Sequence, residues 1–173
     1  MVKKPIIYFL ISLTVWGCHP LKKTKIMTES KNHSDQHENH AVEPKVTGIG
    51  GIFFFTDNPK ETREWYHKHL GLETNDYGST FEFRNLDRPE ELNQLQWSPF
   101  KTGSDYFKPS KKDFMINYRV QNIEGLVAKL KQSGVTVVDT IATYDYGKFV
   151  HILDHDGNKI ELWEPVVELK PIH

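Results

Sequence analysis

The chain has 173 residues and a single cysteine, Cys18, and this scarcity limits the chemistry it can carry. One cysteine cannot form a disulfide within the chain. The sequence also lacks a Gly-x-Ser-x-Gly elbow and a glycine-rich loop that would cradle phosphates. Catalysis by a cysteine or serine nucleophile therefore has little support.

The chain also has no large excess of positive or negative charge. Lys and Arg number 22 against 23 Asp and Glu, and the formal net charge is -1. No stripe of basic residues alternates with aromatic residues, so we expect no nucleic-acid partner. With 38% hydrophobic and 26% charged residues, the composition is typical of one globular domain.

The longest uncharged apolar run lies at the N-terminus, from Pro5 to Gly17, and is shorter than the roughly 20 residues that cross a bilayer as a helix. It follows two lysines and ends at Cys18, which is the anatomy of a signal peptide. Val15-Trp16-Gly17-Cys18 resembles the lipobox of bacterial lipoproteins. We therefore predict a signal peptide over 1–17, a lipidated Cys18, and a chain anchored by lipid to a membrane of the cell envelope, outside the cytoplasm. The alternative is an uncleaved leader with an unmodified thiol.

Residues 18–45 are polar and contain almost no aromatic residue, so they cannot bury enough apolar area to offset their ordering entropy. We predict a flexible tether. His33, His37 and His40 have a spacing that would align them on one helical face and could ligate a metal. A solvated linker that contains histidines is the favoured interpretation.

From residue 46 the pattern changes to strand-like and helix-like segments that predict a folded domain over 46–166 and a tail over 167–173. Residues 49–55 are typical of a strand. Asn58 and Pro59, with Glu61 three residues after the asparagine, then predict the start of a helix. Gly71 predicts its end.

The second half repeats this plan, with a strand over 114–120, a helix capped by Asn122 and a glycine, Gly134, at its end. Gly71 and Gly134 lie 63 residues apart, and two Trp-x-Pro motifs, at Trp97 and Trp163, lie 66 apart. A nearly constant offset indicates an internal repeat. Three strands are predicted after each helix, in the second unit over 135–138, 147–153 and 159–163.

This repeat, with Trp65-Tyr66, Leu70-Gly-Leu72 and Asp156-Gly-Asn-Lys-Ile-Glu-Leu162, resembles the vicinal oxygen chelate superfamily, which includes glyoxalase I, bleomycin-resistance proteins and extradiol dioxygenases. The resemblance implies an α+β fold in which two βαβββ units form a cupped mixed sheet around a cavity. It is strongest to a glyoxalase-like subgroup of no settled activity. Because many members of this superfamily pair units between chains, the resemblance also allows a homodimer.

The enzymes of this superfamily hold a divalent metal with ligands from four strands, and the resemblance assigns each position here. The first-strand histidine falls on Gly51 and its counterpart in the second unit on Met115. The closing-strand carboxylate falls on Glu161, and its first-unit counterpart on Leu95, or on Gln94 or Gln96 if the register slips. Only Glu161 is a good ligand for a hard or borderline metal. A slipped register could instead recruit Gln96 or Asn117, and His151 could approach from the next strand.

The expected cavity has further candidate residues. Arg119 shares a face with Met115 and Asn117 and is placed to approach Glu161 or an acidic ligand, in a structural ion pair or in recognition. Aromatic residues with polar tips suit a pocket wall, although each could be ordinary core. The predicted ligand-binding residues are Trp97, Tyr106, Asn117, Arg119, Tyr146, His151 and Trp163, with Tyr144 as a further aromatic candidate.

The favoured hypothesis is a glyoxalase-like lipoprotein that binds a small organic molecule in a metal-free cavity. One alternative is an enzyme, either a metal-dependent lyase, isomerase or dioxygenase-like enzyme with irregular ligands including Glu161, or a metal-free acid–base catalyst built on Glu161. Such a catalyst would need a pKa raised by burial and a donor such as His151 or Tyr146. A second alternative is a surface interaction module whose cavity is vestigial, closed by Phe53, Phe55 and Met115.

Overall fold

The computed structural model describes residues 42–170, in which a strand, a helix and further strands follow one another twice. The strands are β1 (Lys45–Thr56), β2 (Ser79–Arg84), β3 (Glu91–Lys101), β4 (Phe114–Gln121), β5 (Ala142–Tyr144), β6 (Gly147–Leu153), β7 (Lys159–Pro165) and β8 (Glu168–Leu169). The helices are α1 (Pro59–Leu70) and α2 (Ile123–Gln132), with a short 3-10 helix at Asp105–Phe107. Cys18 and the histidines at 33, 37 and 40 lie outside the described residues.

The strands form one mixed sheet in the order β2-β3-β1-β4-β7-β6-β5, with β8 paired to β3. At its centre β1 and β4 run antiparallel, and each has a parallel neighbour, β3 beside β1 and β7 beside β4. The two halves of the sheet are therefore arranged alike, which confirms the predicted α+β fold with a repeated unit.

The strands after the helices differ in part from the prediction. The second unit has three, but the first of them is β5, whereas residue 137 forms only a single bridge to Ile152. The first unit has two strands, β2 and β3, and a single bridge between Asn75 and Gly78 stands where the third was expected.

Both helices begin where the sequence predicts. The Asn58 side chain accepts the Glu61 N–H at 3.3 Å with Pro59 in the first turn, and the Asn122 side chain accepts the Gly125 N–H at 3.0 Å. Gly71 ends α1 in the left-handed conformation, with φ of 68°. Within residues 42–170, no helix is long and apolar enough to span a bilayer.

The two faces of the sheet are covered differently. Helix α2 packs Ile123, Leu126 and Val127 against one face of the second unit, where they join Val150 and other strand residues in the main apolar core. Because side chains alternate along a strand, neighbouring positions such as His151 and Glu161 point to the opposite face. A smaller cluster of Phe53, Phe107 and Met115 lies on that opposite face and borders the candidate site.

Candidate functional site

A row of paired residues crosses the sheet at the level of Glu161. Glu161 pairs with Asn117 on one side and with His151 on the other. Asn117 pairs with Gly51 across the centre, and Gly51 pairs with Gln96 in the first unit. Under the internal repeat, Gly51 therefore corresponds to Asn117, and Gln96 corresponds to Glu161.

This pairing corrects the predicted register. Met115 pairs with Phe53, and Leu95 pairs with Phe81, so neither takes the position assigned to it from the sequence. The two family ligand positions are occupied by Asn117 and Gln96 instead. This is the slipped register that was predicted as an alternative.

A bulge in β1 brings its backbone close to this row, because the register shifts between Ile49 and Gly51 and leaves Gly50 as the extra residue. A methyl group at Gly50 would overlap Asn117 Oδ1 and lie 2.9 Å from both Arg119 Cγ and Trp163 Cε3. Glycine is therefore required at this point, and the first strand offers no side chain to the centre of the row.

Glu161 is 3% exposed, and both of its carboxylate oxygens accept hydrogen bonds. Asn117 donates to Oε1 at 2.7 Å. Oε2 receives the Tyr106 hydroxyl, which the 3-10 helix delivers from the segment between the two units, and lies 3.0 Å from His151 Nε2. Three donors from three separate segments thus converge on one buried carboxylate.

His151 extends this network to a second carboxylate, that of Asp139. His151 Nδ1 lies 2.6 Å from Asp139 Oδ2, and the His151 backbone N–H donates to Asp139 Oδ1 at 2.8 Å. The His151 side chain is 11% exposed, whereas the Asp139 side chain is 44% exposed. The carboxylate of Asp139 thus fixes the ring of His151 and connects the buried network to the surface.

The network determines the charges of its members. Burial opposes ionisation of Glu161, but the hydrogen bonds from His151, Tyr106 and Asn117 outweigh it and lower the pKa of the carboxyl group. Burial also opposes protonation of His151, but the hydrogen bonds to Glu161 and Asp139 prevail and raise the pKa of the imidazole. Burial, reinforced by the charge of Glu161, raises the pKa of the Tyr106 phenol far above its ordinary value. Below pH 6.5 these shifts favour an imidazolium between the carboxyl groups of Glu161 and Asp139, with a neutral phenol. The lowered pKa of Glu161 is the opposite of what an acid–base catalyst built on this residue would need.

The network lies at one side of a cavity of about 980 Å³. Glu161, His151 and Asp139 line it together with Tyr106, and Asp76 and Gln96 add further polar groups. The remaining wall is largely aromatic. Its aromatic residues are Phe53, Tyr77, Phe100, Tyr144, Tyr146 and Phe149.

The residues in the four family positions do not fit a divalent metal. They supply one carboxylate, from Glu161, two amides and a glycine. Both oxygens of Glu161 already accept hydrogen bonds, and Gln96 Oε1 accepts the Thr80 hydroxyl at 2.7 Å. Amides without a second anionic or imidazole ligand bind such ions weakly. Within residues 42–170, no group of three or more His, Cys, Asp or Glu side chains is arranged to hold an ion.

The structure places four of the predicted site residues, Glu161, Tyr106, Tyr146 and His151, on the cavity wall. Asn117 is 2% exposed and holds the Glu161 carboxylate in place through its hydrogen bond to Oε1. Trp163 stands behind the wall, stacked on Phe149 at a centroid distance of 5.8 Å.

Two predicted residues have other contacts. Trp97 packs on the helix side of the sheet, against Phe54 and Tyr66. Arg119 donates to Asn93 Oδ1 at 2.6 Å, and its guanidinium lies 5.0 Å from the centre of the Trp163 ring. Arg119 therefore does not form the ion pair with Glu161 that was one of its two predicted roles.

Sequence reasoning missed Asp139 and Asp76. Asp139 lies between α2 and β5, and Asp76 lies in the turn before β2, where no periodic pattern indicates a direction for a side chain. The one available signal was that both lie in segments between predicted elements, where loops reach the rim of a sheet.

Comparison with known proteins agrees with this geometry. The family model of the Glyoxalase/Bleomycin resistance protein/Dioxygenase superfamily matches residues 48–162. A search of curated proteins found no match.

Several solved structures are similar to this chain, and those with a TM-score of 0.50 or more share its fold. A methylmalonyl-CoA epimerase in complex with methylmalonyl-CoA and ammonium is 13% identical, with a TM-score of 0.52 over 73% of this chain and 100% of that chain. A variant of the Streptomyces coelicolor epimerase is 14% identical, with a TM-score of 0.50 over 70% and 99%. The Mycobacterium tuberculosis epimerase is 23% identical, with a TM-score of 0.48 over 70% and 89%. At these identities the likeness shows the fold alone. Because the family model spans the whole repeat, this chain belongs to the Glyoxalase/Bleomycin resistance protein/Dioxygenase superfamily.

Proposed function

We propose that the domain binds a small organic molecule in the cavity beside Glu161. The observation that carries this proposal is a cavity of about 980 Å³ with aromatic walls and a single buried polar network at one side. Ligand sites commonly have volumes of roughly 300–1,000 Å³ and combine apolar walls with a few fixed polar groups. The aromatic rings would hold the body of the ligand, and the groups around Glu161 would orient its polar end.

The network is suited to orienting a ligand because its members hold each other in place. Glu161 is fixed by Asn117, Tyr106 and His151, and His151 is fixed in turn by Asp139. A ligand would meet groups whose positions are already determined, so little conformational entropy is lost on binding.

Binding is favoured over acid–base catalysis by Glu161. A general base works best when its pKa lies near the working pH. The pKa of Glu161 is lowered, and both of its oxygens already accept hydrogen bonds, so it is a weak base. An enzyme that uses a divalent metal is also disfavoured, because the four family positions supply only one carboxylate.

A surface module with a vestigial cavity has less support. Phe53 and Met115 do pack together with Phe55, as that hypothesis expected. The space beside them nevertheless remains open, and Glu161, His151 and Tyr106 all reach it.

We also propose that Cys18 is lipidated and that residues 19–44 tether the domain to a membrane outside the cytoplasm. The support is the sequence alone, namely two lysines, an apolar run and Gly17 before Cys18. The domain would then bind its ligand in the cell envelope. A role in sequestering or delivering that ligand follows from the location.

The binding proposal is tested by filling the cavity. Ala142 lines the cavity from β5, whereas its neighbour Thr143 is exposed on the other face of the same strand. A library of aromatic fragments is screened by ligand-observed NMR against the full-length chain, and each hit is titrated against Ala142→Trp and Thr143→Trp. We expect Ala142→Trp to weaken binding by roughly tenfold or more and Thr143→Trp to leave it unchanged. Hits that bind both variants and the parent chain equally, or an absence of hits, would contradict the proposal.

A further inference from the structure

The charged groups of the cavity are mostly acidic. Three carboxylates line it, those of Asp76, Asp139 and Glu161, and the one basic side chain among the described lining residues is His151. None of these lining residues is Lys or Arg. An anionic ligand would therefore bring its charge near three carboxylates and find no long basic side chain to pair with.

The cations near the network do not neutralise all of this charge. The His151 ring lies between Asp139 and Glu161, within hydrogen-bond distance of both, so any charge on it is shared between them. Lys159 Nζ donates to the Tyr106 carbonyl oxygen at 2.6 Å and lies 5.2 Å from the centre of the Tyr106 ring, so it stands behind the wall. These two cations offset two carboxylates. The third, Asp76, is exposed and forms no hydrogen bond or ion pair among residues 42–170.

The aromatic rings of the β5–β6 hairpin also favour a positively charged ligand. Tyr144 and Tyr146 stack with their centroids 5.4 Å apart and their planes within 5°. Phe149 meets both edge-on, at 5.9 and 5.6 Å. The two tyrosines are 52% and 61% exposed, so they are accessible to a ligand. Aromatic faces attract cations through their quadrupole, and clusters of rings bind quaternary ammonium groups.

We infer that the ligand of this cavity is an organic cation, an amine or quaternary ammonium compound with an apolar body. Its positive nitrogen lies against the rings of Tyr144 and Tyr146 in the field of Asp76. Its apolar body lies against Phe53 and Phe100. This inference rests on the proposed binding function and adds the charge of the ligand to it.

The test uses three probes that share a naphthalene ring and differ in charge. Naphthyltrimethylammonium is the cation, tert-butylnaphthalene is its neutral isostere and naphthalenesulfonate is the anion. Binding to the full-length chain is measured by ligand-observed NMR at pH 7, with Ala142→Trp identifying binding inside the cavity. We expect the cation to bind roughly tenfold tighter than the neutral isostere, and the anion to bind more weakly than both.

Two substitutions examine the stated causes of this preference. Asp76→Asn should weaken binding of the cation by roughly threefold to tenfold and leave binding of the neutral probe within twofold. Tyr144→Leu should weaken binding of the cation by a similar factor and weaken the neutral probe less, so that the ratio of the two affinities falls. Asp87→Asn is the matched control, because Asp87 is exposed on a loop and does not line the cavity.

The outcomes separate the two proposals. Equal affinity for the three probes, or tighter binding of the anion, would overturn the inference about charge and leave the binding function standing. A preference for the cation that survives both substitutions would also overturn it. If no probe binds in a way that Ala142→Trp abolishes, both proposals fail.

Discussion

Replacing Glu161 with glutamine should destabilise the domain by a predictable amount. The carboxylate accepts bonds from Asn117 at 2.7 Å, from His151 at 3.0 Å and from Tyr106. Asn117 Oδ1 has no hydrogen-bond partner, so its amide can turn and accept a bond from the new NH₂ group. The remaining loss of stability comes from the two hydrogen bonds at Oε2, whose acceptor changes from a charged carboxylate oxygen to a neutral amide oxygen. At about 1 kcal/mol each, Glu161→Gln should lower the free energy of unfolding by about 2 kcal/mol near pH 6.

The cost should depend on pH. The pKa of His151 is raised above its ordinary value of 6.5, so the stability it contributes is fully present below that value and is lost as pH rises through the folded-state pKa. The pKa of Glu161 is lowered from 4.5, so its contribution is present above 4.5 and is lost as pH falls through the folded-state pKa. The two windows overlap between about 4.5 and 6.5. The charge of Glu161 therefore stabilises the fold most there, and its contribution falls as pH rises through the folded-state pKa of His151.

Urea denaturation of the full-length chain at pH 6 and pH 9, followed by tryptophan fluorescence, measures this difference. Glu161→Leu should cost more than Glu161→Gln, about 3–5 kcal/mol, because it removes one of the two carboxylates beside the buried His151 and leaves the Tyr106 hydroxyl and the Asn117 amide without their acceptor. Glu82→Gln is the control, because Glu82 is exposed and accepts one bond of 3.3 Å from Gln94, and it should change stability by less than about 0.5 kcal/mol. A cost for Glu161→Gln that is equal at the two pH values would refute the assignment of His151 as an imidazolium.

Three further predictions concern the backbone, the anchor and the metal. Gly50→Ala should destabilise the domain by about 1–3 kcal/mol because its methyl group overlaps Asn117, whereas Gly48→Ala, with nothing within 4 Å, should be nearly neutral; thermal denaturation compares the two. Cys18→Ser should abolish incorporation of labelled palmitate, and unchanged labelling would remove the proposed anchor. Protein purified without chelators or a histidine tag should contain divalent metal well below one equivalent, and a stoichiometric ion lost in Glu161→Ala would show that the metal assessment is wrong.

The helices and the repeat could be predicted from the sequence because their signals are local. An asparagine, a proline and a glutamate within four residues define the start of α1, and Gly71 defines its end. The constant offset between the halves needs no knowledge of contacts. The helix boundaries depend on backbone conformation over a few residues, which the side chains at those positions determine directly.

The register of the row could not be predicted in the same way. Counting along β1 assumes one residue per step, and the bulge at Gly50 breaks that assumption. Met115 and Asn117 share a face of β4, so alternation alone did not separate them. Only the pairing of Asn117 with both Gly51 and Glu161 shows that Asn117, and not Met115, lies in the row.

The partners of the charged residues depended on tertiary contacts. Asp139 reaches His151 from a segment without regular structure, and Arg119 turns to Asn93 on β3 instead of to Glu161. The sequence indicated that Glu161 would be buried and would need partners. It did not indicate that three donors would outweigh burial and lower its pKa.

The repeat gives the two units equivalent positions but different chemistry. Where the second unit has Asn117 and Glu161, the first has Gly51 and Gln96, so the first half of the row contains no charge. His151, Asp139 and the stacked tyrosines all belong to the second unit, and Tyr106 comes from the segment between the units. The charged residues that line the cavity therefore belong mostly to the second unit, and the first unit adds Asp76 from the loop before β2. A substitution at Gln96 should accordingly change which ligand bodies fit, and a substitution at Glu161 should change which polar ends are accepted.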